Sequence, residues 1–178
     1  MPTETNAAFE IDHKFDAARK RHYLNGDCTV LHCHHYATLY TQLAMDATDF
    51  DGVRCLMETS EDVFFDVLSR YYTQKKIESI EDKIAVAQQY WQASGMGLLK
   101  FTGVGKYEVM AEMEYSHIDE GWLKKWGAAD KPVNLITAGF VAACAALVNG
   151  KPPRTFEAKE TKSLARGDEI SAFKAIHK

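Results

Sequence analysis

Residues 98–116 read LLKFTGVGKYEVMAEMEYS, and they decide the fold class. Two runs carrying Leu, Phe, Val and Tyr flank the glycines at 103 and 105, which predicts two strands joined by a turn. Upstream, Ile84, Ala87, Tyr90 and Trp91 recur at helical spacing within Ile80–Ala93, and Gly95-Met96-Gly97 ends that helix. Before it, the cap-like run Thr59-Ser60-Glu61-Asp62 predicts a helix start, with Val63, Phe64, Val67, Leu68 and Tyr71 as the apolar face. A helix from His34 or His35 to about Thr48 precedes that one. Asn25-Gly26 marks a two-residue hairpin between strands near Arg19–Leu24 and Asp27–Cys33, because a type I′ turn needs positive φ at both central positions. Downstream, a short helical segment is expected over Asp119–Trp126. A longer helix follows over Val133–Asn149, closed by Gly150 and stopped by Pro152-Pro153. The tail reads as a last hairpin, Thr155–Ser163 and Ile170–Ile176, around Arg166-Gly167-Asp168. Strands and helices come in blocks, not in alternating βαβ units. The class is α+β: an antiparallel sheet with helices packed on it.

The 178 residues suit a polar N-terminal arm over 1–18 and one domain over 19–178. The formal net charge of −4 argues against a general binder of phosphate backbones, so nucleic acid is not an expected partner. No stretch approaches the ~20 apolar residues of a membrane helix, since Asn134, Thr137 and Gly139 interrupt the longest candidate. The N-terminus lacks the apolar segment of a signal peptide. Cys28, Cys33, Cys55 and Cys144 form no CxxC pair, which reads as free thiols in a reducing cytoplasm.

The unusual feature is His32-Cys33-His34-His35. Imidazole and thiolate suit zinc, iron and other transition metals, and histidine also serves haem. On a strand His32 and His34 share a face and Cys33 points away. At most two or three of the four then converge on one ion, and the others must come from afar. His117 is the best distant candidate; Glu112, Glu114 and His22 are others. Buried histidines bonded to backbone are the competing explanation. The cofactor therefore stays open among none, a transition metal and haem. Glu112 and Glu114 share one strand face and suit acid–base work, though exposed sheet carboxylates are commoner. There is no nucleophile elbow, and Gly103-Val104-Gly105 precedes no helix, so it is not a phosphate loop.

The second half resembles the 4-vinyl reductase domain family, also called hydrocarbon-binding proteins. The resemblance rests on GMGLLKF (95–101), GKYEVMAEMEYS (105–116), TAGFVAACAALVNG (137–150) and FEAKETKSLARGDEISAF (156–173). Within the last, Glu160, Ala165, Gly167, Asp168 and Phe173 fit the family's closing frame, but Ser163 and Ser171 stand where the family has cysteines. The resemblance implies a sensor-type ligand-binding domain, with a pocket between sheet and helices, working as a homodimer. A small, largely apolar molecule is the implied partner. Tyr36, Tyr90, Phe101, Tyr115, Trp122 and Phe140 are the aromatic candidates for lining that pocket, although aromatics dominate cores and interfaces too. The stripe Gly139, Ala142, Ala143 and Ala146 allows either close helix packing or room for a ligand. An enzyme working through the His32–His35 segment, hydrolase-like or reductase-associated, is the alternative to a binding protein. A purely structural dimerising subunit is the third possibility.

Overall fold

The structure is a computed structural model and describes residues 7–178. The described residues form two antiparallel sheets and five α-helices. The first sheet has three short strands, β1 (His13–Asp16), β2 (Arg21–Leu24) and β3 (Asp27–Thr29), in that order. Asn25 and Gly26 both have positive φ, at 50° and 91°, as the turn between β2 and β3 requires. The expected arm therefore holds a strand, and ahead of it Phe9 packs tilted against Tyr71 and edge-on against Tyr90. Residues 1–6 of that arm lie outside the described residues. The second expected strand stops at Thr29, so His32 and Cys33 belong to a connecting segment.

Three helices follow: α1 (His34–Asp46), α2 (Gly52–Lys75) and α3 (Ile80–Ala93). The bounds of α3 are as expected, because Ser79 caps it through Asp82 N and Glu81 and Asp82 complement the first turn. α2 begins well before its predicted start. Asp51 is the cap, accepting from Arg54 N, and Thr59 to Asp62 lie inside the helix. Ser60 and Glu61 are buried there, so tertiary contacts rather than capping explain their presence.

The second sheet has the order β4-β5-β7-β6, from β4 (Gly97–Val104), β5 (Glu108–Ser116), β6 (Phe156–Lys162) and β7 (Ser171–His177). β6 is thus an edge strand. Between the two hairpins come α4 (His117–Trp126), which opens two residues before its expected start, and α5 (Leu135–Val148). Every residue of α5 from Thr137 to Val148 is buried, since α2 covers one side and the sheet the other. A helix hydrophobic all round is what such a central position needs.

Gly139 shows how tightly α5 meets α2. A β-carbon there would lie 2.5 Å from the Met57 carbonyl oxygen and 2.6 Å from Ser60 Cβ. At this position the small-residue stripe serves close packing. The core joins Trp91, Phe140, Phe156, Phe173, Leu99 and Met113 across α3, α5 and the sheet. In the last hairpin Phe156 and Phe173 are buried, Leu164 is half-buried, and Ile176 faces solvent at 50% exposure.

Candidate functional site

Three features gather polar or open structure: a histidine cluster, a buried polar knot, and a pocket beside α5. The cluster forms where α1 and α4 begin. Gly121 makes this approach possible, because a β-carbon there would stand 2.8 Å from the His34 carbonyl oxygen and 2.9 Å from Thr38 Cγ2. One turn earlier on α4, His117 is drawn against α1. The ring centroids of His32 and His34 lie 5.8 and 5.7 Å from that of His117, and His34 and His35 are 4.3 Å apart. His34 Nε2 is buried without a hydrogen-bond partner. Desolvation, aided by the neighbouring imidazoles, holds His34 and His117 below the ordinary histidine range.

The expected meeting of the His32–His35 segment with His117 is therefore present. A ready metal centre is not: among the described residues no group of three or more His, Cys, Asp or Glu is arranged to hold a metal ion. The expectation that His32 and His34 share a strand face fails, because His34 already opens a helix. Cys33 is the exposed cap residue of α1, and its side chain makes no capping bond. Glu112 and Glu114 are exposed, and Glu114 pairs with Lys100 at 3.0 Å, an ordinary surface ion pair. His22 faces His13 on the first sheet, with a ring-nitrogen separation of 2.9 Å.

The polar knot is also built at the start of α4, where the start of α5 meets it. Asn134 caps α5, accepting from Thr137 N, while its amide donates to Ser116 Oγ at 3.0 Å and to Asp119 Oδ2 at 2.7 Å. Asp119 Oδ1 accepts from Ser163 Oγ and from Ala165 N, each at 3.2 Å. Leu164 N donates to Ser171 Oγ at 3.0 Å. Ser163 and Ser171 are thus both fully buried in one network at the end of the last hairpin, held by ordinary hydrogen bonds.

Glu160 joins the knot from β6. Its Oε2 accepts from Asn134 N at 2.9 Å, but its Oε1 is buried without a well-formed hydrogen bond. Burial first, and the Asp119 carboxylate second, push its carboxyl up to about 7; the nearby Ser163 and Ser171 hydroxyls only partly offset this. A lone acid on the inward face of a strand was legible by period two, since Phe156, Ala158 and Glu160 point the same way.

The pocket opens between α2, α5 and the edge strand β6, with a volume of about 540 Å³. Ala138, Gly139 and Ala142 of α5, Met57 of α2, and Phe156 and Ala158 of β6 supply its apolar wall. Asn134 and Glu160 connect it to the knot. At its rim Arg154 donates to Glu61 Oε2 at 2.7 Å and to Asp62 Oδ2 at 2.6 Å, and Arg54 meets Asp51 and Glu58. A smaller cavity of about 200 Å³ lies between the first sheet and α2.

The aromatic residues expected to line one pocket do not gather at one. Phe140 is fully buried, with its ring 4.4 Å from Trp91. Tyr36 and Tyr115 are exposed, Trp122 packs in a separate small cluster with Val133 and Ala165, and Phe101 packs against the main core. Tyr90 lines the smaller cavity. Gly139 and Ala142 of the small-residue stripe line the larger pocket, whereas Arg154 and Glu61 were not expected at it.

The architecture is an α+β fold, an antiparallel sheet with helices packed on it. It is similar to the phenol-responsive sensory domain of the transcription activator PoxR, solved with phenol: the TM-score is 0.76 at 12% identity, over 93% of this chain and 84% of that one. It is also similar, at a TM-score of 0.51 and 11% identity, to a trafficking protein particle complex subunit 3 from Naegleria fowleri covalently bound to palmitic acid, over 82% of this chain and 95% of that one. The likeness at these identities is one of fold. No family model matches the chain, and no curated protein matches it significantly. No described helix is long and apolar enough to cross a membrane.

Proposed function

We propose that this chain is a small-molecule-binding sensory domain whose ligand sits in the pocket between α2, α5 and β6. The carrying observation is that pocket: about 540 Å³, with an apolar wall along α5 and β6 and charged side chains such as Arg54, Glu58, Glu61 and Arg154 around it. Small-molecule sites are commonly clefts of roughly 300–1,000 Å³, lined mainly by apolar groups with a few placed polar ones. The fold supports the reading, since similar solved structures carry phenol in one case and palmitic acid in the other. Kinship with the 4-vinyl reductase domain family, a homodimeric state and a cytoplasmic location belong to the same proposal; the family resemblance supports the first two.

Titration calorimetry with small aromatic probes tests the reading, using the wild type and Ala142→Phe. Ala142 lines the pocket and is 4% exposed, so a benzyl group there occupies ligand space. Saturable binding to the wild type, lost in the variant while the fold is retained, is the expected result. Equal binding by both removes the ligand from this pocket.

A second reading has its own observation. The clustering of His32, His34 and His117 supports a transition-metal or imidazole-based catalytic site, with haem a subcase. The rings would have to rotate to present three nitrogens to one ion at 2.0–2.1 Å. Metal analysis and an absorption spectrum of untagged protein test it. A stoichiometric metal or a haem band favours this reading, and a metal-free, colourless protein removes the metal and haem forms.

A further inference from the structure

We propose that the outer face of α1, with the residues that lead into it, is the surface through which two copies of this chain pair across a two-fold axis. This gives the homodimer proposed above its interface, and it does not depend on the ligand pocket. α1 buries small residues and exposes large apolar ones, the reverse of what a surface helix of a lone domain does. Ala37, Thr38 and Thr41 are buried, on a helix packed against α4 and α2. Tyr36, Tyr40 and Leu43, spaced i, i+4 and i+7 along one stripe, stand out in solvent. Val30 and Leu31, just ahead of the helix, are 74% and 79% exposed. Ring contacts run along the stripe, since the Tyr36 ring lies 6.4 Å from that of His32 and 6.3 Å from that of Tyr40.

Charge and area point to a second copy as the occupant. Residues 30–45 contain no Asp, Glu, Lys or Arg, although these make up 26% of the chain. A face without charge meets its own copy with no like-charge repulsion, as a self-complementary two-fold contact requires. Tyrosine without charged neighbours is also the make-up of an interface core. A helix lying on a membrane surface would carry Lys or Arg beside its apolar stripe, and α1 has neither. Val30, Leu31, Tyr36, Tyr40 and Leu43 together expose on the order of 600 Å², most of the ~800 Å² per partner of a stable interface and the top of the range for the largest patch on a monomer. Ile176 is the contrast: it is exposed too, but it sits in register between Glu108 and Glu157, a single apolar residue on a charged face.

Sedimentation equilibrium of the wild type, Tyr36→Glu, Tyr40→Glu and the control Ile176→Glu tests this, with circular dichroism to check each fold. The wild type should be a dimer in the micromolar range, and Ile176→Glu should match it. Each substitution on α1 enters the interface twice by symmetry and buries a carboxylate without a partner. The dimer dissociation constant should therefore rise by about a hundredfold or more. Both tyrosines are exposed in the single chain, so the variants should fold, and either one alone decides the question should the other fail. A dimer that both variants keep unchanged overturns this surface and leaves the homodimer standing. Equal dissociation of Ile176→Glu also overturns it, since added charge anywhere would then be the cause. A wild type that stays monomeric throughout the micromolar range overturns the surface and the homodimer together, and leaves the ligand pocket untouched.

Discussion

Gly121 and His34 touch through backbone: a β-carbon on Gly121 would lie 2.8 Å from the His34 carbonyl oxygen. This contact sets the spacing of the first turns of α1 and α4, and so brings His117 to His32 and His34. Gly121→Ala forces the helices apart. It should cost about 1–3 kcal/mol, the usual range for overpacking. It should also return the His117 titration toward that of an ordinary histidine, read by NMR. Destabilisation with an unchanged His117 titration would show that the helix contact does not position the ring.

The histidines also give stability a sign. The folded-state values of His34 and His117 are lowered, so between those values and about 6.5 the unfolded chain binds more protons. Their contribution is present above about pH 6.5 and is lost as pH falls through the folded values. His117→Gln should reduce the acid sensitivity of the urea midpoint. An unchanged acid limb would place the effect elsewhere.

Glu160 acts with the opposite sign. Its carboxyl is raised from 4.5 to about 7, so the folded protein holds the proton more firmly. Its contribution is full below about pH 4.5 and declines as pH rises through about 7, by on the order of 3 kcal/mol for one buried group. Glu160→Gln should remove that decline and leave the variant more stable than wild type at pH 8. Parallel stability–pH curves for the two proteins would contradict the assignment.

Arg154 holds a nearly buried carboxylate. The Glu61 side chain is only 5% exposed and takes both a backbone and a guanidinium bond from Arg154, each at 2.7 Å. Removing one partner of a buried pair commonly costs about 3–5 kcal/mol, because the other charge is left unpaired. Arg154→Ala should therefore lower stability by about 3 kcal/mol, toward the lower end because the arginine is partly exposed. A double-mutant cycle with Glu61→Gln should recover part of that loss. Additive losses would show that the pair is not coupled.

In the last hairpin, Phe173→Ala should cost about 3–5 kcal/mol, since the ring is 1% exposed in the main core. Ser163→Ala should cost about 1 kcal/mol, the worth of its single bond to Asp119. Equal effects in chemical denaturation would mean that the knot, rather than the ring, holds the hairpin.

Much of the architecture was legible where local signals and tertiary packing agree. Ile84, Ala87, Tyr90 and Trp91 marked α3, Asn25-Gly26 marked the β2–β3 hairpin, and Gly105 marked the β4–β5 turn, although β4 runs on through Gly103 to Val104. The start of α2 was misread because Thr59 to Asp62 resemble a cap while packing against α5 and Arg154, contacts that no local pattern reveals. The strand expected through Cys33 ended at Thr29, which changed the geometry assigned to the histidines. Their meeting with His117 was legible from residue chemistry; that Gly121 makes it possible was not. The aromatic candidates misled because Phe140 fills the core, whereas space beside α5 comes from alanine and glycine.

The most direct test of the central proposal is an amide NMR titration with benzyl alcohol. Binding in the pocket between α2, α5 and β6 predicts saturable shifts concentrated at Ala138, Gly139, Ala142, Ala158 and Glu160, and their loss in Ala142→Phe. Shifts centred on His34 and His117, or no saturable shift at any concentration the probe reaches, would contradict it.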